Sequence, residues 1–192
     1  MALRVFKQIL TGGGKLLKPF TFLINIFIKE HPVFLVSLLY RGDIWKLRES
    51  CISKRTSRKE LLYYSYLQTY GAWIGLGAQF DGTPIFPHSF NGIFISHNAH
   101  IGKNVTIFHQ VTIGSNMTVG SKNQGSPTIC NNVYIGCGAK IIGKCNIGDN
   151  VRVGANCIIT KDVPSNCVCV MRGLDIIQKE GTLDNTWIAV NG

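Results

Sequence analysis

The chain has 192 residues, of which 45% are hydrophobic and 16% charged, so we expect a globular protein and not a disordered one. Its net charge of +10 is unevenly distributed: the residues up to Tyr70 contain 12 Lys/Arg and 4 Asp/Glu, against 8 and 6 in the remainder. The basic surplus of the N-terminal part suits an anionic partner, and no nucleic-acid-binding motif accompanies it, which argues against nucleic acid.

The first 73 residues are predicted to be helical. Met1–Leu10 is compatible with a short amphipathic helix, and a later helix is predicted within Glu60–Trp73. Between them lie two apolar runs, Phe20–Ile28 and Val33–Leu39, separated by Lys29–Pro32. Neither run has the roughly 20 uninterrupted apolar residues of a membrane span. We therefore expect buried or interfacial helices, with peripheral contact to an anionic membrane as one use of this basic, apolar region.

A six-residue repeat occupies the central part of the chain. Its aliphatic residues recur at Ile95, Ile101, Ile107, Ile113, Ile129, Ile135, Ile141, Ile147, Val153 and Ile159. A small or β-branched residue follows four places later, at Ala99, Val105, Val111, Val133, Ala139, Cys145, Val151, Cys157 and Val163. A period of six is typical of parallel β-helices, in which each unit is a short strand and a corner that must stack on its neighbours. We expect both repeated positions to point inward.

The repeat is interrupted before Ile95. An irregular version of it runs through Ile74–Phe90 and is out of register by three residues, which predicts a bulge or small loop near His88–Gly92. A second interruption lies in the sixteen-residue interval that precedes Ile129.

In that second interval, we expect Val119–Gly120 to preserve one unit and Ser121–Pro127 to protrude as a polar loop. Loops on a rigid scaffold often carry function.

These patterns predict a mainly β protein. The predicted β-helix domain spans residues 74–170 with a loop at 115–128, preceded by the helical region 1–73 and followed by a tail at 171–192. The seven cysteines include no CxxC pair and no secretory signal precedes them, so a reducing, cytoplasmic location is predicted, with membrane association through the basic helices.

The repeat region resembles the hexapeptide-repeat acyltransferases, and within them the serine O-acetyltransferase branch. The likeness covers roughly Gly71 to Gly173. It rests on the repeat and on Pro87-His88 before Gly92-Ile93-Phe94-Ile95-Ser96, where the family has a catalytic Asp-His before a Gly-Ile-Val-Ile-Gly strand. The resemblance implies a left-handed β-helix, a homotrimer, and acetyl-CoA as co-substrate for acetylation of a hydroxyl.

Four of the five histidines lie between His88 and His109. O-acetylation needs a general base for the hydroxyl proton, and histidine suits this role because its ordinary pKa lies near neutrality. The resemblance matches His88 to the base and places His109 beside the active-site cleft, so both are predicted to be catalytic. Asp81, Asn91 and His97 are predicted to bind the acceptor. Because His97 and His109 are twelve residues apart, they should lie on different sides of a three-sided coil.

Three positions depart from the family pattern. Pro87 stands where the family has the Asp before the base, and Ser126 aligns with a family histidine. Trp73 aligns near a second family carboxylate, and Asp81 is close enough in sequence to substitute for that carboxylate. Because those family groups hold serine and orient the base, their replacement favours a sugar hydroxyl, as in capsule, lipopolysaccharide or other polysaccharide biosynthesis. Serine O-acetylation proper is the alternative.

The resemblance also implies where acetyl-CoA binds. The family uses backbone groups in the groove between subunits. The matching residues are Gly114, Ser115, Ala139 and Ala155. Three lysines are candidates to meet the phosphates as point charges: Lys140, Lys144 and Lys161. No resident metal is predicted.

Two interpretations of other classes stay open. A zinc hydratase of the carbonic anhydrase type shares this fold and is motivated by the clustered histidines, although its His-x4-His pair is absent. A non-catalytic scaffold would show no thioester turnover and a disordered loop after Ser115.

Overall fold

The computed structural model describes residues 18–173, with side chains described from Thr21 onward. The helix predicted at Met1–Leu10 and most of the tail predicted at residues 171–192 lie outside the described residues.

From residue 18 onward, four helices precede the repeats: α1 (Lys18–Glu30), α2 (Pro32–Tyr40), α3 (Ile44–Ser53) and α4 (Ser57–Gln68). Proline is tolerated only in the first turn of a helix, because it lacks the backbone N–H that the helix interior needs. The helix α1 therefore ends before Pro32, and α2 begins at Pro32. The Asp43 side chain accepts hydrogen bonds from the backbone N–H groups of Trp45 and Lys46 and caps α3. The helix predicted within Glu60–Trp73 begins earlier and ends at Gln68.

The apolar runs form α1 and α2, which meet at 94°. In the described part of the chain, no single helix is long and apolar enough to cross a membrane; the bent pair passes that test together, by length and composition only.

Thirteen short strands follow in the described residues up to 173: β1 (Trp73–Ile74), β2 (Gln79–Phe80), β3 (Phe94–Ile95), β4 (His100–Ile101), β5 (Thr106–Ile107), β6 (Thr112–Gly114), β7 (Thr128–Ile129), β8 (Tyr134–Ile135), β9 (Lys140–Ile142), β10 (Asn146–Ile147), β11 (Arg152–Val153), β12 (Ile158–Ile159) and β13 (Val168–Cys169). They form a left-handed parallel β-helix, as predicted.

The β-helix has three faces, each a parallel sheet. Face A contains β1, β3, β6, β9 and β12; face B contains β2, β4, β7 and β10; face C contains β5, β8, β11 and β13. The chain visits A, B and C in turn, so the A–B, B–C and C–A corners each form a column that runs along the helix axis.

The core consists of the repeated positions. All ten aliphatic residues of the repeat are buried, and so are the small residues four places later, apart from Val163, which is half-buried. Cys145 and Cys157 point inward as predicted. Apolar burial along the whole axis holds the short strands together, because a two-residue strand makes few hydrogen bonds of its own.

The B–C corner carries a ladder of asparagines. The members, with left-handed φ angles, are Asn104 (53°), Asn132 (55°), Asn150 (58°) and Asn166 (61°). Each Nδ2 donates to the next Oδ1, at 2.7, 2.7 and 2.9 Å. Asparagine tolerates this backbone conformation better than most residues, which explains its recurrence at the turn.

The interruption before Ile95 is a loop of three extra residues. Ile85 pairs with Thr106 on face C, and Phe94 pairs with Thr112 on face A. The chain therefore uses nine residues from face C to face A where the next coil uses six. The extra residues form a turn that contains His88, in agreement with the predicted position.

The second interruption differs from the prediction. Gly114 ends β6 on face A and Thr128 begins β7 on face B, so the intervening segment replaces one corner and contains no further repeat unit. Val119 is 92% exposed and does not occupy an inward position. Backbone hydrogen bonds in both directions join Asn116 and Gly125, so the segment is a hydrogen-bonded hairpin loop and not the disordered loop of the scaffold interpretation.

A buried cation joins the helices to the first coil. The Arg48 guanidinium donates to the carbonyl oxygens of Leu76 and Ala78, and the Tyr63 hydroxyl donates to the carbonyl oxygen of Ile74 at 3.1 Å. Arg48 is only 7% exposed. Because a buried charge is costly without hydrogen bonds, these carbonyl contacts fix the helices against the β-helix.

Candidate active site

The C–A corner brings together residues from successive coils. Its coils are joined by backbone hydrogen bonds: Gln110 N to Asn91 O at 2.8 Å, and Gly138 N to His109 O at 3.0 Å. The loop that contains His88 forms the first level of this column, and His109 lies one level below.

His88 and His109 are in direct contact. Their Nδ1 atoms are 2.8 Å apart, and their ring centroids are 4.8 Å apart. His88 is exposed and His109 is half-buried, so at least one ring edge is accessible to a substrate.

This Nδ1–Nδ1 contact restricts the protons of the pair. A hydrogen bond between two ring nitrogens requires that one carries a proton and the other a lone pair. If His88 donates, its Nε2 has a free lone pair and can act as a base, while His109 accepts and carries its own proton on Nε2. In the described part of the chain, no carboxylate is hydrogen-bonded to either ring.

Neighbouring groups fix the position of the pair. The Phe108 ring packs edge-on against His88, with centroids 5.2 Å apart. The Asn91 Nδ2 donates to the carbonyl oxygen of His88 at 3.0 Å and so holds the loop. Asn91 therefore lies beside the histidine pair with one amide N–H already used by the protein, and its binding of the acceptor stays a prediction.

The positions predicted for acetyl-CoA divide between two corners. Ala139, Lys140 and Ala155 lie at the C–A corner or at its face A side, and the Lys140 Nζ donates to the carbonyl oxygen of Gln110 at 2.6 Å. Gly114 and Ser115 lie at the start of the A–B corner.

Lys161 also lies at the A–B corner. One chain alone therefore does not join the two groups of predicted positions, and their common role in acetyl-CoA binding stays a prediction.

Asp81 and His97 lie away from the histidine pair. The Asp81 carboxylate contacts the His100 Nε2 at 2.9 Å beside face B, so within one chain it is paired with His100 and not with either ring of the histidine pair. Its predicted substitution for the second family carboxylate, which aligns near Trp73, stays a prediction. His97 lies at the A–B corner, where its Nδ1 accepts from the Gly77 N–H at 3.1 Å. The expected separation of His97 from His109 is therefore present.

The other departures have structural partners. The Trp73 ring stacks on Tyr64, with centroids 4.1 Å apart, and the Ser126 Oγ lies 2.6 Å from the Ser115 Oγ within the loop. Within residues 18–173, no three His, Cys, Asp or Glu side chains cluster in a way that could hold a metal ion.

Sequence reasoning missed the contact between the two histidines, although the spacing contained it. One full coil is eighteen residues, and the loop adds three. His88 and His109 are 21 residues apart, so they occupy the same corner in adjacent coils.

The fold and this corner define a hexapeptide-repeat β-helix protein with a histidine pair at its surface. Residues 126–161 match the family model for the bacterial transferase hexapeptide (six repeats). The predicted resemblance to the hexapeptide-repeat transferases is thus confirmed.

The particular relatives are serine acetyltransferases. The chain is 40% identical over 89 residues to that of Mycobacterium tuberculosis, covering 46% of this chain and 38% of the relative. It is 36% identical over 110 residues to that of Helicobacter pylori, covering 57% and 59%. The crystal structure of serine acetyltransferase isoform 3 from Entamoeba histolytica in complex with cysteine superposes with a TM-score of 0.53 at 28% identity, covering 81% of this chain and 50% of that one. The chain thus spans roughly 40–60% of the length of these relatives.

Proposed function

We propose that this protein is an O-acetyltransferase that moves an acetyl group from acetyl-CoA to a hydroxyl, with His88 as the general base. The observation that carries the proposal is the His88–His109 contact at an exposed corner of the β-helix, one coil above the predicted acetyl-CoA residues. The names of the relatives supply the reaction class.

The reaction follows from the geometry of the pair. His88 Nε2 takes the proton of the acceptor hydroxyl while the hydroxyl oxygen attacks the thioester carbonyl carbon. The C–S bond then breaks, and the thiolate of CoA leaves and recovers the proton from His88. The hydrogen bond to His109 Nδ1 keeps a proton on His88 Nδ1, so that Nε2 is free to accept the hydroxyl proton and then to pass it to the thiolate.

L-serine is the first acceptor to test. The departures at Pro87, Trp73 and Ser126 predicted a sugar hydroxyl instead, but the relatives are serine acetyltransferases, which favours serine. A sugar or glycan hydroxyl is the second candidate, and the groove described in the next subsection is the observation that favours it.

A homotrimer is proposed as the working form. Face A presents exposed apolar side chains on three of its five strands, Trp73 on β1, Phe94 on β3 and Ile158 on β12, with exposed fractions of 42%, 48% and 69%. Contact with a neighbouring copy would bury these side chains, and in a trimer it would bring the A–B corner of one copy toward the C–A corner of the next. The predicted acetyl-CoA residues of the two corners would then form one groove.

Peripheral membrane contact is proposed for the helical region. Exposed apolar side chains occur on α1 (Phe22, Leu23, Ile26) and on α2 (Phe34, Leu38). The surplus of basic residues before Tyr70 suits an anionic bilayer surface. Sedimentation with vesicles containing anionic lipid tests this: salt-sensitive binding that deletion of residues 1–40 removes is expected, and absence of binding at low salt would contradict it.

The reaction itself is tested by CoA release. Purified full-length protein is incubated with acetyl-CoA and, in turn, L-serine, nucleotide sugars and oligosaccharides, and free thiol and acetylated product are measured. We expect acceptor-dependent CoA release with one equivalent of O-acetylated product. Absence of transfer with every acceptor, from protein with intact secondary structure, would overturn the proposed function.

A further inference from the structure

Face C carries a groove of about 640 Å³ along the B–C corner, and the histidine pair lies at the other edge of this face, the C–A corner. Its lining residues share polar or aromatic side chains that point outward: Asn104, Asn132, Asn150, Thr106, Tyr134 and Arg152. The asparagine ladder of the B–C corner forms one wall. Ligand sites are commonly clefts of about 300–1,000 Å³, so the groove has the size of a site, and an acceptor as small as serine would leave most of it empty.

Aromatic rings connect the groove to His88. The Phe108 ring packs against His88 with centroids 5.2 Å apart, and it packs against Tyr134 with centroids 5.0 Å apart. Tyr134 is 43% exposed and lines the groove. A molecule lying in the groove would therefore reach the base after crossing two rings along face C.

The groove retains unused hydrogen-bonding capacity. Asn132 and Asn150 each spend one N–H and one oxygen lone pair within the ladder, which leaves one N–H and one lone pair for a ligand. Within residues 18–173, neither the Tyr134 hydroxyl nor the Arg152 guanidinium has a hydrogen-bond or ion-pair partner. Arg152 is an exposed cation with a donor geometry suited to carboxylate or phosphate groups.

The predicted acetyl-CoA residues and the face C groove lie on opposite sides of His88, the proposed base. The predicted acetyl-CoA residues at this corner, Ala139 and Lys140, lie toward face A, whereas Tyr134 and Arg152 lie on face C. CoA bound at Ala139 and Lys140 would cover the face A side of His88. The acceptor hydroxyl must then approach the thioester from the other side, so face C is the acceptor side.

We propose that this groove binds the acceptor, and that the acceptor is an acidic saccharide. The Tyr134 ring would pack against the sugar ring, the ladder amides would bind hydroxyls, and Arg152 would pair with a carboxylate or phosphate. This inference rests on the proposed function, whose base and donor it keeps, and it names the acceptor class.

Binding is measured without turnover. Full-length protein is applied to a glycan array of uronic-acid, sialic-acid, phosphorylated and neutral oligosaccharides, and the Kd of the best acidic ligand is determined by calorimetry. The variants are Tyr134→Ala and Arg152→Gln, with Lys122→Gln as a matched control because Lys122 is an exposed cation in the loop between faces A and B. We expect each groove variant to weaken binding about tenfold or more, and Lys122→Gln to leave it unchanged.

Kinetics separate this inference from the proposed function. If both hold, Arg152→Gln raises the KM for the acidic acceptor and leaves the KM for acetyl-CoA unchanged. If the protein transfers acetyl to serine and neither groove variant alters that transfer, the groove does not bind the acceptor. This inference is then overturned, while the proposed O-acetyltransferase activity still holds. Equal binding of neutral and acidic glycans, or loss of acetyl-CoA binding in Arg152→Gln, would also overturn the inference.

Discussion

Substituting the two histidines separately should give very different losses of activity. His88→Ala removes the base, and general-base assistance is worth about 10²–10⁴ in rate, so kcat should fall by that factor. His109→Ala removes a single hydrogen-bond partner at 2.8 Å near the surface. One such bond contributes about 0.5–1.5 kcal/mol net, which corresponds to a fall in kcat of about twofold to tenfold.

The assay follows free thiol release at saturating acetyl-CoA and acceptor, with circular dichroism and light scattering to verify fold and assembly. His109→Asn is the informative rescue, because its Oδ1 can accept the His88 Nδ1–H and should restore most of the loss. His100→Ala serves as a histidine control on face B. The effects should appear in kcat and not in the KM for acetyl-CoA, since neither ring is proposed to bind the donor.

The opposite ranking would refute this reasoning. If His88→Ala retains near-normal kcat while His109→Ala loses a hundredfold or more, His109 is the base. If His109→Asn is as slow as His109→Ala in a folded protein, the Nδ1–Nδ1 hydrogen bond does not set the position of the His88 proton.

Three further predictions concern stability. Cys157→Phe should lower the free energy of unfolding by about 1–3 kcal/mol, read as a lower urea midpoint, because its side chain is 4% exposed and points into a close-packed core. The outward-facing Val168→Phe on face C is the control and should have little effect; equal midpoints for the two variants would contradict the six-residue register. Arg48→Met should cost on the order of 1–3 kcal/mol by leaving buried carbonyl oxygens without donors, and a melting temperature equal to that of the parent would show that the helices do not depend on this contact. Burial raises the pKa of the Cys51 thiol from 9.0 to about 11, so between these pH values the folded state keeps a proton that the unfolded chain loses. The free energy of unfolding should therefore fall as pH rises from about 9 to 11. Urea titrations at each pH measure this fall, and the part of it that is due to the thiol should be absent in Cys51→Ala.

The sequence by itself determined the β-helix, because the aliphatic residues that recur every six positions are the residues that become buried. Each repeated aliphatic residue, from Ile95 to Ile159, lies inward for a local reason: a strand of two residues and a corner return the next apolar side chain to the axis every six residues. The helix break at Pro32 and the loop near His88 were predictable for similar reasons, since a missing backbone N–H and a shift of register act locally.

The tertiary structure decided which side chains meet. Whether Val119 continues the repeat depends on how the loop pairs with itself, and the hydrogen bonds between Asn116 and Gly125 turned that segment into a hairpin. Asp81 is close in sequence to the site, yet coil stacking pairs it with His100, because contacts between coils depend on the number of residues in each turn. The same stacking placed His88 over His109, 21 residues away, and only the three-residue loop before Ile95 brought the two rings into register.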